Sequence, residues 1–547
     1  MTTTSHHTIA RMRTYLALTM GLITLLCAQT AFAGDWTSFR GSSTNNAVTK
    51  ARTPRAASEV SLKWALSLKP ANDWQTNVGS PLIVGNQLIV PVGQELRFIN
   101  KETKAVEGRV ALAATIDSTS RPVYSNGVVY VPESDGRIEA ISTAKKSSLW
   151  ATDSIETTNS AGKSETYQSL STPLLDGGKL YVGATVADWS SSYRGNLRCI
   201  DVSKDTTNTA SRIVWEKDNL DGGYYWSGAI KIGKAIVVAG DDGIVTSLDA
   251  ATGNIIEEKP MGKNIVVRSS VVSYNNNAVF TTKDGRLFRI AINSDGTFGK
   301  GAWSKRFAVD STVTPAIYNN LAFVGGKRVA GYQDKTGVYC AIDLNTMEIT
   351  RSVVTPYVSQ SSALISSVVS GNPIAYFSMN NKPGGVYGIS LKSGATPMTF
   401  FEPTGEMSNY CLTSLISDDA GTLYHINDSG YLMALKTTVP KPKSADAAIK
   451  SVSKTTGTWK SSWSKTRVNP RYTKLLIGRT KSSVKLTANK NNNKATVYMR
   501  LSGQSYKKVN SINVKLARGK QRTAFIKCVA ENGTTAKTYR VIVNRRK

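Results

Sequence analysis

Asp242-Gly243-Ile244-Val245-Thr246-Ser247-Leu248, followed at once by a turn through Ala250-Ala251-Thr252-Gly253, reads as hairpin turn, short apolar strand and second turn. The Asp-Gly pair supplies the positive φ that a tight turn demands. Val245-Thr246-Ser247-Leu248 is one of eight copies of a pattern that also gives Leu96-Arg97-Phe98-Ile99, Ile138-Glu139-Ala140-Ile141, Leu197-Arg198-Cys199-Ile200, Leu287-Phe288-Arg289-Ile290, Tyr339-Cys340-Ala341-Ile342, Val386-Tyr387-Gly388-Ile389 and Leu432-Met433-Ala434-Leu435. Their last residues are spaced by 42, 59, 48, 42, 52, 47 and 46 positions. Short strands at a period of about 40 to 50 residues predict a β-propeller with one four-stranded blade per repeat.

Ser80 to Val92 shows the first hairpin of a blade, a proline-led apolar run that turns at Gly85-Asn86. Asp135-Gly136, Asp284-Gly285 and Ser429-Gly430 repeat the turn before the third strand, so these aspartates are read as turn residues rather than acids. The fourth strand carries Trp150, Trp215 or Trp303, which are expected to pack between blades. The last repeat lacks a fourth strand after Leu435. Leu62-Lys63-Trp64-Ala65-Leu66 is therefore expected to complete it and to close the ring without a free edge.

The composition agrees with this all-β reading. The 547 residues are 40% hydrophobic and 19% charged, with Gly 43 and Tyr 22, a balance that favours strands and turns over helices. Of three histidines only His425 lies beyond the first few residues, which argues against a Ser/His/Asp triad and against multi-histidine metal sites. No catalytic residue, metal ligand or cofactor is assigned.

The repeat, with its apolar strand, its Ala250-Ala251-Thr252-Gly253 turn and its tryptophan strand, resembles the pyrroloquinoline-quinone-type (PQQ-like) repeat of quinoprotein-like eight-bladed propellers. Asp35-Trp36-Thr37-Ser38-Phe39-Arg40-Gly41, with Asn45 following, resembles the opening segment of many secreted members. The resemblance spans roughly residues 35 to 439. It implies the fold; its members include quinone-dependent alcohol dehydrogenases, an outer-membrane assembly scaffold and binding proteins. The dehydrogenase branch implies a vicinal disulfide over the quinone, a calcium ion and an aspartate base. No two cysteines here are adjacent, and no motif selects a base such as Asp241 or Asp310.

Arg11 and Arg13 precede an apolar run from Tyr15 to Leu26, and Ala31-Phe32-Ala33 has the form of a cleavage site, so residues 1–33 read as a secretory signal peptide. A lipid anchor on Cys27 would need a small residue where Leu26 stands. No later run is long enough to span a membrane. Cys199, Cys340, Cys411 and Cys528 sit singly in apolar runs and read as buried free thiols. The expected location is secreted, extracellular or attached to the cell surface.

Residues 34–439 thus form the predicted propeller. Turns between second and third strands share one face with the blade-to-blade connections, and this face carries the candidate ligand-binding aromatics Trp74, Tyr167, Trp189, Tyr193, Tyr224, Tyr225, Trp226 and Tyr332. Rings on loops held by a rigid frame suit a protein or a glycan ligand.

Pro440-Lys441-Pro442-Lys443-Ser444 marks a stiff linker (residues 440–445). From Lys441 onward 27 Lys and Arg face only Asp446 and Glu531, a net +25, whereas the rest of the chain carries +5. Residues 446–547 still alternate like folded strands, as in Val484-Leu486-Ala488, Ile512-Val514-Leu516 and Tyr539-Val541-Val543, and predict a small β-sandwich. Asn469-Pro470-Arg471-Tyr472 and the stretch from Ala530 to Tyr539 resemble the bacterial cadherin-like β-sandwich, without the Asp-rich calcium motifs of true cadherins. A field of this sign predicts an anionic cell-envelope polymer as partner, with Lys485, Lys507, Lys508, Arg518, Lys520 and Arg522 as candidate contacts. Trp459, Trp463, Tyr498, Tyr506 and Phe525 interleave with the basic residues as in a nucleic-acid groove, but no nucleic-acid motif accompanies them. The reading is a noncatalytic binding protein; the alternatives are a quinone-dependent oxidoreductase and an envelope assembly scaffold.

Overall fold

The computed structural model describes residues 34–547 except 119, 160, 161, 188–191, 332, 370, 391–395 and 439–442. The predicted signal peptide, Trp189, Tyr332 and part of the linker lie outside the described residues, as does the side chain of Tyr193. The chain divides into two compact units, one ending at Val439 and the other starting at Pro440.

In the first unit, eight antiparallel sheets of four consecutive strands, or three plus a returning one, occur among the described residues. They span 82–111, 123–151, 174–219, 230–260, 272–306, 316–355, 364–401 and 416–437, and are numbered 1 to 8 in that order. Sheet 1 shows the plan: Leu82–Val84, Gln87–Val92, Glu95–Asn100 and Val106–Ala111 pair in sequence order. The eight-copy motif is the third strand each time. Second and third strands such as Ala235–Ala239 and Ile138–Ser142 are buried throughout, whereas fourth strands such as Glu348–Thr355 alternate between partly covered and exposed residues. That gradient follows the sequence, because inner strands are covered on both faces and outer ones meet water.

Apolar clusters join each sheet to the next. Phe98 of sheet 1 packs with Val131 of sheet 2, Phe288 of sheet 5 with Val245 of sheet 4, and Phe377 of sheet 7 with Tyr339 of sheet 6. One further cluster unites sheets 7, 8 and 1 through Tyr376, Tyr424 and Leu88, so the series closes on itself. Val60–Ser67 pairs antiparallel with Tyr431–Thr437 and completes sheet 8, as the missing fourth strand requires.

The third-to-fourth turn explains the polar residue that follows the apolar strand in every copy except that of sheet 5, where Ala291 stands. Asp249 Oδ1 accepts from the backbone N–H of Ala251 and Thr252 at 3.0 and 3.1 Å, and Asn100 and Asp343 do the same in their sheets. A register shift precedes this turn at Phe98/Ile99, Cys199/Ile200, Ser247/Leu248 and Ala341/Ile342, a repeated bulge that adds twist to the outer strand.

The tryptophan expectation holds in part. Trp64 and Trp215 are buried, and each indole N–H donates at 3.0 Å to a turn carbonyl of the next sheet, Lys101 and Ala250 respectively. Trp303 is 56% exposed instead. Arg289 donates to the Leu344 carbonyl, the matching turn position of sheet 6, and its guanidinium lies 5.6 Å from the Trp303 ring centre, displacing the indole outward.

The second unit is a β-sandwich. Ile449–Lys454, Ser483–Lys490 and Ser511–Lys515 form one sheet. Thr458–Trp459, Tyr472–Ile477, Ala536–Arg545, Gln521–Val529 and Thr496–Leu501 form the other in that spatial order. Leu486, Leu475, Met499, Ile526 and Val541 fill the space between them. Trp459 and Trp463 pack against this core, and Trp463 Nε1 donates to the Ile449 carbonyl at 3.2 Å, so neither belongs to a nucleic-acid groove.

Candidate functional site

The first strands of successive sheets surround the propeller axis, because their leading residues bond to one another. Ser80 N–H donates to the Ser120 carbonyl at 2.8 Å, Ser270 N–H to Thr314 Oγ1 at 3.0 Å, Thr314 N–H to Ser362 Oγ at 2.9 Å and Ser362 N–H to Ser414 Oγ at 3.0 Å. Just before these residues a second serine staples the first strand to the second strand of its own sheet: Ser269 Oγ donates to Thr281 O and accepts from Thr281 N–H, as Ser361 does with Ser378. At the ring position of sheet 4, next to the staple Ser227, stands Gly228, where a Cβ would come within 2.5 Å of Thr172 and 2.8 Å of Ser270. Lacking one, it lets Thr172 and Ser270 meet at 2.9 Å. The spaced Ser/Thr pairs carry this signal in the sequence, where the strand pattern alone does not reveal it.

Residues 35 to 49 run across one end of the axis. Trp36 exchanges backbone hydrogen bonds with Ile83 of sheet 1, and Thr37 O accepts from Tyr124 N–H of sheet 2. Asn45 Nδ2 donates to the carbonyls of Ala229 and Val271, and Asn46 binds both backbone groups of Ile317 in sheet 6. Val48–Thr49 then adds a parallel strand to sheet 7. The opening motif is thus a hub strap, which gives Asn45 a structural task.

The other end carries the connecting loops and the candidate aromatics. Trp74 is 66% exposed, with Lys69 Nζ 5.8 Å from its ring centre. Tyr225 meets Trp226 edge-on at 4.9 Å, beneath the Arg268 guanidinium at 4.3 Å. Arg268 is paired with Asp241, Nη2 to Oδ2 2.9 Å and Nε to Oδ2 3.1 Å, with both side chains almost fully buried. Trp226 has φ +61°, a strained setting for a bulky residue, and its carbonyl accepts from Arg121 Nη1 at 2.9 Å. Asp241 is therefore an ion-pair member. Burial raises the Asp310 carboxyl above its usual range, offset by Lys283, Lys327 and Arg268.

Two of the candidate aromatics are corrected to core residues. Tyr167 packs with Ile155, Ala184 and Val186, and Tyr224 lies against Gly183, where an added Cβ would be 2.6 Å from its own Cβ. Both rings are buried, whereas the candidates Trp74 and the Tyr225–Trp226 pair lie nearer the loop surface. The sequence missed a cavity of 440 Å³ on this loop face, lined by Asp310, Lys327, Tyr357, Gln360, Asn380 and Tyr410. Tyr410 is 43% exposed there.

His425 is buried, its Nε2 2.7 Å from the Gly384 carbonyl, and burial lowers its pKa to about 4. Among the described residues the four cysteines, Cys199, Cys340, Cys411 and Cys528, are buried free thiols in four different strands or loops, with no vicinal pair. Among the described residues no group of three His, Cys, Asp or Glu side chains is placed to hold a metal.

In the sandwich, the basic candidates are dispersed. Lys485 is exposed on the three-stranded sheet, Lys507 and Lys508 occupy the loop after Leu501, and Arg518 and Lys520 lie in the turn before Gln521. Arg522 follows them, with Nη1 3.3 Å from the Lys515 carbonyl. The outer face of the five-stranded sheet holds a more ordered set. Tyr472 is in register with Arg540, Arg540 with Phe525, and Phe525 with Arg500. Arg540 lies 5.6 Å from the Tyr472 ring centre, and Arg500 lies 4.3 Å from Phe525 and 5.0 Å from Tyr506. Aromatic and guanidinium groups thus alternate across four strands, a row of about 14 Å at normal strand spacing.

Residues 57–204 match the family model described as outer membrane protein assembly factor BamB, and residues 465–546 match the cadherin-like beta sandwich domain. No curated protein matches the chain. Among solved structures, quinohemoprotein alcohol dehydrogenase from Comamonas testosteroni is 11% identical with TM-score 0.56, over 78% of this chain and 84% of that one. A quinohemoprotein alcohol dehydrogenase from Pseudomonas putida HK5 gives 10% identity and TM-score 0.55, over 77% and 83%. BamB from Moraxella catarrhalis gives 11% and TM-score 0.46, over 70% and 98%. The two dehydrogenases show a shared propeller fold.

Proposed function

From a propeller of PQQ-like repeats joined to a cadherin-like β-sandwich, we propose a secreted or cell-surface binding protein without catalysis of its own. The sandwich attaches to an anionic envelope polymer, and the propeller presents its loop face to a protein or glycan. The observation that carries the attachment is the Tyr472, Arg540, Phe525, Arg500 and Tyr506 row on a unit of net charge +25. Planar guanidinium groups bind phosphate or sulfate through paired N–H donors, and their aromatic neighbours fix the planes in which those donors lie. Trp74, the Tyr225–Trp226 pair and the cavity beside Tyr410 supply the second, independent surface.

The test uses the full chain on immobilised poly(glycerol phosphate) across a salt series, with single-stranded DNA as competitor. Arg500→Gln with Arg540→Gln should weaken binding and flatten the salt dependence by nearly one unit of slope for each phosphate no longer neutralised, by analogy with polyanion counterion release. Unchanged affinity and slope would remove the row from the attachment. Preference for the DNA would replace the envelope polymer by nucleic acid.

A second reading is an assembly scaffold, favoured by the family-model match over residues 57–204. Crosslinking in intact cells distinguishes them: adducts to proteins at the Trp74 and Trp226 loops support a scaffold, and adducts only to glycan support the first reading.

A further inference from the structure

Arg40 is the largest fully buried side chain, 1% exposed, and reaches toward the axis from the strap. Its Nη2 donates to the Ala363 carbonyl at 2.5 Å, while Nε and Nη1 are buried without a hydrogen-bond partner. Arg121, at the ring position held by Ser or Thr in most other sheets, donates to Thr172 Oγ1 at 2.8 Å and to the Trp226 carbonyl. Both guanidiniums address the same ring: the Arg121 Cζ is 3.9 Å and the Arg40 Cζ 5.8 Å from the centre of Phe39. Burial lowers both arginines to about 9, with Arg40 depressing Arg121 further, and no carboxylate contributes to either environment. The buried Tyr339 hydroxyl interacts electrostatically with Arg40 and also lacks a hydrogen-bond partner.

A fully buried guanidinium such as Arg40, with the like charge of a half-buried Arg121 facing the same ring, costs several kcal/mol unless something of opposite sign lies beside it. Water satisfies N–H groups but brings no charge. The side chains that meet here supply donors without an acidic counterpart. We propose that the propeller axis between Arg40 and Arg121 is a binding site for one small oxyanion, of the phosphate, sulfate or carboxylate class. Arg40 Nε and Nη1 donate from the buried side, and the half-buried Arg121 donates from the other. The site is distinct from the sandwich row and does not rest on the attachment reading.

Crystals of the full chain grown free of phosphate and sulfate and soaked in sodium selenate should show an anomalous selenium peak within hydrogen-bond distance of both guanidiniums. Water-like density there, with selenate found elsewhere on the protein, overturns the proposal. In solution, thermal unfolding is followed at constant ionic strength in phosphate, sulfate, acetate or chloride. The expected result is a saturable rise in Tm with at least one oxyanion over chloride, lost in Arg121→Gln. Arg121→Gln also gives up the contact with Phe39, so the Tm of each protein in an oxyanion is compared with its own value in chloride; an equal rise in wild type and Arg121→Gln places the effect elsewhere and refutes the site. The anion that gives the largest rise identifies the class.

Discussion

Replacing Asp241 by Asn removes one charge of the Asp241–Arg268 pair and little else. Asp241 lies in the turn between the second and third strands of sheet 4, and Arg268 just before the first strand of sheet 5, so the pair ties two neighbouring sheets at the loop face. Side-chain exposures of 3% and 6% put it in the regime where losing one partner costs about 3–5 kcal/mol, because the remaining guanidinium keeps its desolvation and loses its nearest compensation. Unfolding entropy near 2.1 cal/mol/K per residue over a unit of roughly 400 residues converts this to a Tm fall of about 4–6 °C. Differential scanning calorimetry of the full chain measures it. Near-UV circular dichroism should also lose intensity, because Arg268 positions the Tyr225 ring against Trp226. The double variant Asp241→Leu with Arg268→Met should recover much of the loss, giving a coupling energy of at least about 1 kcal/mol. A fall below about 1 °C in Asp241→Asn, with no coupling, would show that water reaches the pair and refute the reasoning.

Trp64→Ala should cost about 3–5 kcal/mol and Trp303→Ala less than about 1 kcal/mol, although the two occupy one repeat position, as comparison of their calorimetric midpoints will show. Glu133 is raised to about 9 by burial, then by its hydrogen bond to and repulsion from Glu139. The folded chain keeps a proton that the unfolded chain releases near 4.5, so this group's contribution falls as pH rises from about 5 to 9. Glu133→Gln should gain stability over wild type at pH 8–9 and none at pH 4, read from denaturant midpoints across that range. The buried thiols should react with an aromatic disulfide reagent only as the chain unfolds, and a native-state burst would contradict their placement.

Regular features were legible in the sequence because each is local. Asp-Gly turns and the third-strand motif follow from residues within one repeat, and Trp64 as the closing strand follows from counting strands, because the last repeat is one short. The features not read depend on distance. Arg121 is about 80 positions from the adjacent Phe39 and Arg40, and it meets them only because the strap and the first strands share one axis. Tyr167 and Tyr224 fall in loops by sequence, and what buries them is a second layer of chain, including the two glycines facing Tyr224. Trp303 breaks the pattern because of an arginine on the neighbouring strand, where Arg289 is its register partner. In the sandwich, total charge was plain, while the Tyr472 to Arg500 row needed the order in which the strands pair.

The closing strand and the strap also bear on the time at which this molecule comes into being. Val60–Ser67 is among the first parts of the propeller to be synthesised, and its partner Tyr431–Thr437 is the last. Asn45 to Thr49 of the strap likewise bind sheets that are synthesised much later, with Val48–Thr49 joining sheet 7 more than 300 residues on. Such pairings carry high contact order and slow the search for the native state. The closing strand therefore has no partner until the last sheet emerges, which leaves its edge open to wrong pairings throughout synthesis of the ring.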